Sequence, residues 1–335
     1  MSKQQLAEIL KISAQNPPPA NATPQGMREW AEGMTSHTPL AEKVRIERVN
    51  CGPLQADLIR AAGGDPSRLI IYYHGGGFFL FSRRTYRVTT TNLARASESA
   101  VLVPDYRLGP ENPAPAAHDD AFAVYQWALS QGYAPDKVAL SGDSAGGNLA
   151  LATAVRAKDG GLPLPSSLVL LSPWLDFAEE GASYRSTRDE PILPAAVLDG
   201  FKFAYLGNGD RKSSTVTPFY ADFAGLPPTL VHVGSWERLR DDSITVVGRM
   251  KAAGVAADLK IFEGMCHGWQ LYAPMLDEGM ASIEEAAAFI TSHQTSRLET
   301  SRLETSRLET SRLAGRKSGI PSFCHVGAPA PKRVF

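Results

Sequence analysis

From Val44 onward the chain alternates short apolar, β-branched runs with longer stretches of helical periodicity, and this alternation leaves few folds open. Val44–Val49 and Leu54–Arg60 read as a pair of strands, and Gly63-Gly64-Asp65-Pro66 as a turn. Leu69–Tyr73, Ala100–Pro104, Lys137–Ser141, Ser167–Leu171, Thr229–Gly234 and Asp258–Phe262 read as six further strands. Helical stretches at Thr85–Ser97, His118–Gln131, Ala145–Lys158 and Asp242–Ala253 fall between most of them. Strands that are apolar throughout are buried on both faces, and strands joined through helices pair in parallel. The expectation is an α/β fold whose mostly parallel central sheet is covered by helices on both sides.

Three regions stand outside the alternation. Residues 1–40 hold a short amphipathic helix around Leu6, Ile9 and Leu10, a breaker run Asn16-Pro17-Pro18-Pro19, and a second helix near Met27–Gly33. Residues 178–218 interrupt two strands, and Phe201, Phe203, Tyr205 and Leu206 give this insertion an apolar helical face. Both segments are expected to cap a catalytic domain spanning 41–294. Residues 295–335 differ in kind: Thr295-Ser296-Arg297-Leu298-Glu299 recurs as Thr300–Glu304 and Thr305–Glu309. A five-residue period turns each leucine about 140° from the last on a helix, so no apolar stripe forms. The tail reads as a low-complexity, non-catalytic appendage, and a stop codon after His293 is expected to leave activity and Tm nearly unchanged.

Bulk properties exclude several classes. The formal net charge is -1 with no basic block, which argues against a nucleic-acid partner. The N-terminal apolar residues are broken by Glu8 and Lys11, so neither a secretory signal nor a membrane span is read there, and a cytoplasmic location is expected. The 3 cysteines, Cys51, Cys266 and Cys324, contain no CxxC and suggest neither a disulfide framework nor a metal site.

The chemistry is carried by glycine-rich turns placed after strands. Gly142-Asp143-Ser144-Ala145-Gly146-Gly147 follows Lys137–Ser141 and opens a helix. A G-x-S-x-G at a strand-to-helix turn presents its serine on a strained elbow, and the helix N-terminus favours the anion formed when that serine attacks a carbonyl. His74-Gly75-Gly76-Gly77-Phe78 follows Leu69–Tyr73, where consecutive glycines let backbone amides crowd a substrate oxygen. No G-K-[ST] follows, so a phosphate loop does not fit. After the serine come a carboxylate-rich turn, Glu237–Asp242, and then Gly264-Met265-Cys266-His267-Gly268-Trp269. Serine, acid, histidine is the chain order of α/β-hydrolases, with His267 the general base. His74 reads as a structural hydrogen-bonding residue, and His37, His118, His232, His293 and His325 show no metal-ligand spacing.

These motifs, with Pro104-Asp105-Tyr106-Arg107-Leu108-Gly109-Pro110-Glu111 and Ser172-Pro173-Trp174-Leu175-Asp176, resemble those of the hormone-sensitive-lipase family of esterases, the bacterial family IV group. The resemblance runs from Leu69 to about Ile290. It implies the α/β-hydrolase fold with a helical cap, and an oxyanion hole from the amides of Gly75, Gly76 and Ala145. Tyr106, Arg107 and Glu111 match a motif that looks structural. Where that family usually places Asp-Pro-Leu, this chain has Glu237-Arg238-Leu239, so Glu237 is the expected acid, with Asp241 its rival.

The expected function is therefore a serine carboxylesterase for short acyl esters, acting through Ser144, His267 and Glu237 without metal or organic cofactor. An amidase or formamidase on the same residues, or a ligand receptor on a hydrolase scaffold, are the alternatives. Trp30, Phe79, Phe203, Leu206 and Trp269 are candidates for an apolar acyl pocket, and Cys266 is either an accessible thiol beside His267 or a buried, inert one. The sequence leaves the oligomeric state open.

Overall fold

A computed structural model describes residues 2–35 and 38–294. The repeat tail, Cys324, His37 and His325 lie outside the described residues. Eight strands, β1 (Val44–Cys51), β2 (Leu54–Ala61), β3 (Asp65–Tyr73), β4 (Ser99–Pro104), β5 (Val138–Asp143), β6 (Ser167–Leu171), β7 (Thr229–Gly234) and β8 (Ala257–Phe262), form one sheet in the order β1-β2-β4-β3-β5-β6-β7-β8. Only β2 runs antiparallel to its neighbours; every other pairing is parallel. All the expected strands form. One detail differs: Asp65-Pro66, read as part of a turn, opens β3, because the Asp65 amide donates to the carbonyl of Glu98 and so joins the ladder beside β4.

The helices are α1 (Ser2–Gln15), α2 (Pro24–Thr35), α3 (Arg87–Ser97), α4 (Ala116–Ser130), α5 (Ala145–Asp159), α6 (Ser183–Ser186), α7 (Ala195–Leu206), α8 (Arg240–Ala252) and α9 (Asp277–His293). Strand side chains alternate between the sheet's faces with a period of two. Leu69, Ile71 and Tyr73 of β3 join Val138, Leu140, Leu168 and Leu170 on one face, under α4, α5 and α8. Ile70 and Tyr72 join Ala139, Val169 and Leu171 on the other, under α3 and α9. Burial on both sides is why the runs Leu69–Tyr73, Val138–Leu140 and Leu168–Leu171 are apolar at successive positions.

The chain order reverses at β3, which has β4 on one side and β5 on the other. Such a switch opens a crevice at the strands' carboxyl ends, where ligands bind in open α/β sheets. The segments outside the alternation gather on loops leading from that edge. Leu6 and Ile9 of α1 pack with Phe262, Met265, Cys266 and Trp269 around the loop after β8. Arg28 of α2 donates to the carbonyls of Phe79 and Gly109 and pairs with Glu111 at 2.7 Å. Among the described residues no helix is long and apolar enough to cross a membrane.

Gln294 alters the expectation for truncation. Its amide nitrogen donates to the carbonyls of Leu69 at 2.9 Å and Lys137 at 2.8 Å, and its oxygen accepts from Ser99 Oγ at 3.0 Å. One buried side chain thereby ties the amino-terminal ends of β3, β4 and β5 together. A stop after His293 removes it, so the cut expected to be neutral moves to after Gln294. Gln294→Ala is expected to lower unfolding free energy by about 2–3 kcal/mol, at about 1 kcal/mol for each buried hydrogen bond lost. Urea unfolding of Gln294→Ala, of a chain ending at Gln294 and of one ending at His293 checks this: the second should match the full chain and the third should match the substitution.

Candidate active site

β5 ends at Asp143 and α5 begins at Ala145, leaving Ser144 alone at the turn with φ 52° and ψ −120°. A non-glycine residue at positive φ is strained, and the strain is held here by packing. A side chain on Gly146 would run into the carbonyl oxygen of Tyr73 and one on Gly142 into that of Gly146, so only glycine lets α5 start this close to β3. The Ser144 amide donates to Leu171 O at 2.9 Å, and its own carbonyl accepts from the Trp174 amide at 3.0 Å.

Ser144 Oγ lies 2.9 Å from His267 Nε2, and His267 Nδ1 lies 2.9 Å from Glu237 Oε2. A carboxylate only accepts, so Nδ1 carries the proton and Nε2 is left to accept from the serine hydroxyl. The other oxygen of Glu237 accepts from the Gly234 amide at 2.6 Å and from Ser172 Oγ at 2.7 Å. Asp241, the rival, is turned elsewhere: its Oδ2 accepts from the Ser183 amide at 2.9 Å and its Oδ1 from Arg240 Nε at 3.2 Å. The chain of contacts is shielded from water, with Ser144 6%, His267 8% and Glu237 0% exposed. Burial, the largest influence, pulls the imidazole pKa down. The Glu237 hydrogen bond and charge, with the charges of Glu190 and Asp143, outweigh it and hold the imidazole above its ordinary value.

The glycine loop after β3 is anchored from several sides. Asp143 Oδ1 accepts from the Gly75 amide at 3.1 Å and from Tyr72 at 3.0 Å, and Oδ2 accepts from Tyr86 at 2.6 Å. Burial raises this carboxyl to about 6, against the two tyrosine hydrogen bonds that lower it. The Gly75 amide is therefore spent on Asp143, which corrects its expected place as an oxyanion donor. Gly76, Gly77 and Ala145 keep amides that donate to no described protein atom. His74 stacks on Tyr106 at 4.2 Å and donates from Nδ1 to Gly75 O, and burial lowers its pKa to about 4, so it is neutral. Tyr106 donates to His74 O at 2.6 Å, and Arg107 pairs with Asp120 at 2.7 Å. With Glu111 held by Arg28, that motif braces the glycine loop.

The pocket candidates divide. Phe79, half-buried, faces Phe201 of α7 with ring centroids 5.8 Å apart, and a side chain on Gly77 would collide with the Phe201 ring. Phe201 is thus a missed neighbour of the glycine loop; as one of several aromatics on α7, nothing in the sequence set it apart. Trp30 and Leu206 are half-buried, Leu206 against the main core. Two candidates are corrected. Phe203 is 72% exposed, because it projects from the opposite side of α7 to the buried Tyr205. Trp269 is enclosed with Phe262 at 5.1 Å and donates its indole N–H to Glu278 O, a core role. Ser172, which opens the Ser172–Asp176 motif and donates to Glu237, and Glu190, whose carboxylate accepts the His267 amide, carry no sequence signal for these contacts. Among the described residues no cluster of three His, Cys, Asp or Glu side chains is placed to hold a metal ion.

A mostly parallel sheet with a serine on a strand-to-helix elbow, linked through histidine to a carboxylate from later strand ends, defines an α/β-hydrolase. The family described as alpha/beta hydrolase fold matches residues 70–271. An acetyl-hydrolase of Streptomyces hygroscopicus is 40% identical over 243 residues, 72% of this chain and 81% of that protein. An esterase of Acinetobacter venetianus is 34% identical over 286 residues, 85% of this chain and 94% of that protein. The crystal structure of an esterase from the bacterial hormone-sensitive lipase family superposes with a TM-score of 0.84 at 37% identity, covering 87% of this chain and 99% of that one. The chain belongs to the α/β-hydrolase family and is a carboxylic ester hydrolase of the hormone-sensitive-lipase group.

Cys266 adjoins His267 but is 0% exposed, and burial, with the charges of Glu237 and Glu190, pushes its thiol up to about 12. Cys51 is likewise buried and raised to about 12. A thiolate is the reactive form, so both should be inert. In a Cys324→Ser variant, Ellman's reagent is expected to release no colour from the folded enzyme and to leave turnover intact, with both thiols titrating after denaturation. Rapid labelling of the folded protein would contradict the burial.

Proposed function

We propose that Ser144 attacks the carbonyl of a short-chain acyl ester, with His267 as base and Glu237 as the acid that orients it. The observation that carries this reading is the unbroken line of hydrogen bonds from Ser144 Oγ through the imidazole to Glu237, at 2.9 Å in each link. His267 takes the serine proton as the C–O bond forms and returns it to the leaving alkoxide as the tetrahedral adduct collapses. Water, activated by the same imidazole, then hydrolyses the acyl-enzyme. The developing oxyanion is met by the amides of Gly76, Gly77 and Ala145, where each donor is worth roughly 3 kcal/mol of transition-state stabilisation. Glu237 keeps the proton on Nδ1 and balances the imidazolium charge.

The acyl group is held, in this reading, beneath a cap formed by residues 1–40 and 178–218, with Phe79 and Phe201 bounding the pocket beside the glycine loop. The acetyl-hydrolase name of the Streptomyces relative supports small acids. The complete serine–histidine–carboxylate line favours turnover over a receptor role.

Ser144→Ala should lose five to six orders of magnitude in kcat with its fold intact, the scale seen for a serine protease. Glu237→Gln should lose about 10³–10⁴, Glu237→Asp should recover part of that, and Asp241→Asn should stay within roughly tenfold of wild type. A dead Asp241→Asn beside an active Glu237→Gln would reverse the acid assignment. The base works only when neutral, so kcat/KM should fall as pH drops through the raised pKa of His267, with the midpoint of this limb above that of an ordinary histidine. Across p-nitrophenyl esters, rates should peak near butyrate or hexanoate, and faster turnover of palmitate would refute the bounded pocket.

A further inference from the structure

Glu190 comes from neither the sheet nor any motif of the sequence. It lies in the insertion between β6 and β7, yet its carboxylate is buried, at 3% exposure, against the site. Oε1 accepts the backbone N–H of His267 at 2.9 Å, and Oε2 accepts the backbone N–H of Arg238 at 3.1 Å. One amide belongs to the base and the other to the residue directly after Glu237. A single side chain from a third segment thus joins the loop after β8 to the loop after β7. Its neighbour Asp189 reinforces the attachment by accepting from Trp236 Nε1 at 3.1 Å.

A carboxylate is costly to bury unless its lone pairs and charge are met. Here two backbone donors meet the lone pairs, one on each oxygen. An ionised group suits this arrangement, whereas a neutral acid would put its own proton on one of those oxygens. The charged and titratable groups bearing on Glu190 are His267 and Glu237, with the thiol of Cys266 beside them. The Arg238 guanidinium is turned to the carbonyls of Tyr184 and Arg188. Among the described residues no lysine or arginine forms an ion pair with Glu190, so the imidazolium formed during turnover is the cation it can serve.

We propose that Glu190 is a positioning residue for the esterase reaction: its ionised carboxylate clamps the His267 loop to the Glu237 loop and adds a second negative charge that favours the imidazolium. The inference rests on the Ser144–His267–Glu237 reading above. Burial raises the Glu190 carboxyl to about 7, with the His267 charge pulling it back down, so the clamp loses charge as the pH falls below neutrality. Both effects act on the placement and charge of the His267–Glu237 pair, through the amides of His267 and Arg238.

The test measures kcat and KM for p-nitrophenyl acetate across pH in Glu190→Gln, Glu190→Asp and Ser144→Ala, with circular dichroism and Tm as controls. Glu190→Gln, nearly isosteric, should fold, lose about ten- to hundredfold in kcat with KM within about twofold, and shift the acid limb of kcat/KM down by roughly half a pH unit or more. Glu190→Asp keeps the charge but cannot span both amides, so its kcat should fall while its acid limb stays put. A Glu190→Gln enzyme with wild-type kcat and an unmoved acid limb, whatever its Tm, overturns the proposal. If Glu190→Gln does not fold, Glu190→Asp decides: wild-type kcat, or a limb displaced downward, overturns it equally. An active Ser144→Ala would sink the triad reading itself. An inactive Ser144→Ala beside a wild-type-like Glu190→Gln sinks only the role of Glu190.

Discussion

The close approach of the α5 amino terminus to the carboxyl end of β3 is the constraint on which the site depends. At Gly146 the backbone passes the Tyr73 carbonyl so tightly that no side chain fits. That contact sets the serine elbow directly beside the glycine loop that continues β3. It also lets Asp143, one residue before the nucleophile, reach across to the Gly75 amide at 3.1 Å. Ser144 and the glycine-loop amides are therefore held by strand ends, and in the proposed reaction donors already in place would cost no reorganisation.

The same edge concentrates buried negative charge. Asp143, Glu190 and Glu237 all bear on one imidazole, and each accepts from the backbone: Asp143 from Gly75 after β3, Glu190 from Arg238 and His267 after β7 and β8, and Glu237 from Gly234 at the end of β7. Those amides make the burial tolerable, and the burial makes each charge count, since a low-dielectric surround weakens screening. Nearby, Asp242 is raised to about 8 by burial while accepting from the amides of Leu175 and Asp176 and from Tyr184. That contact holds the loop after β6, and hence Ser172, against the acid loop. Carboxylates here serve as fasteners between loops, and the geometry of the candidate site is assembled from them.

The segments outside the sheet act as fasteners too. Arg28 binds the carbonyls of Phe79 and Gly109 as well as Glu111, so α2 is fixed to the glycine loop and to the motif that braces it. Leu6 and Ile9 supply apolar cover for Met265 and Trp269, on either side of Cys266 and His267. Segments attached in this way can vary while the strand ends stay constant, and loops on a fixed scaffold are where one fold acquires different functions.

Much was legible without coordinates, because the information was local. Apolar strand runs, helices between them, and a G-x-S-x-G at a strand-to-helix junction are patterns within a few residues, and they were enough for the fold class and for naming Ser144 and His267 as candidates. The choice of Glu237 over Asp241 was open in the sequence, since both lie on one turn. Direction of the side chain separates them, and direction depends on where β7, β8 and α6 come together. The Gly75 amide, Phe201, Ser172 and Glu190 were beyond reach for the same reason. Each acquires its role through a contact with a residue dozens of positions away, such as Glu190 with His267 across 77 residues. A one-dimensional pattern records what a residue can do; only the packed chain decides which partner it meets, because hydrogen bonds of about 2.9 Å are set by the tertiary fit of several elements at once.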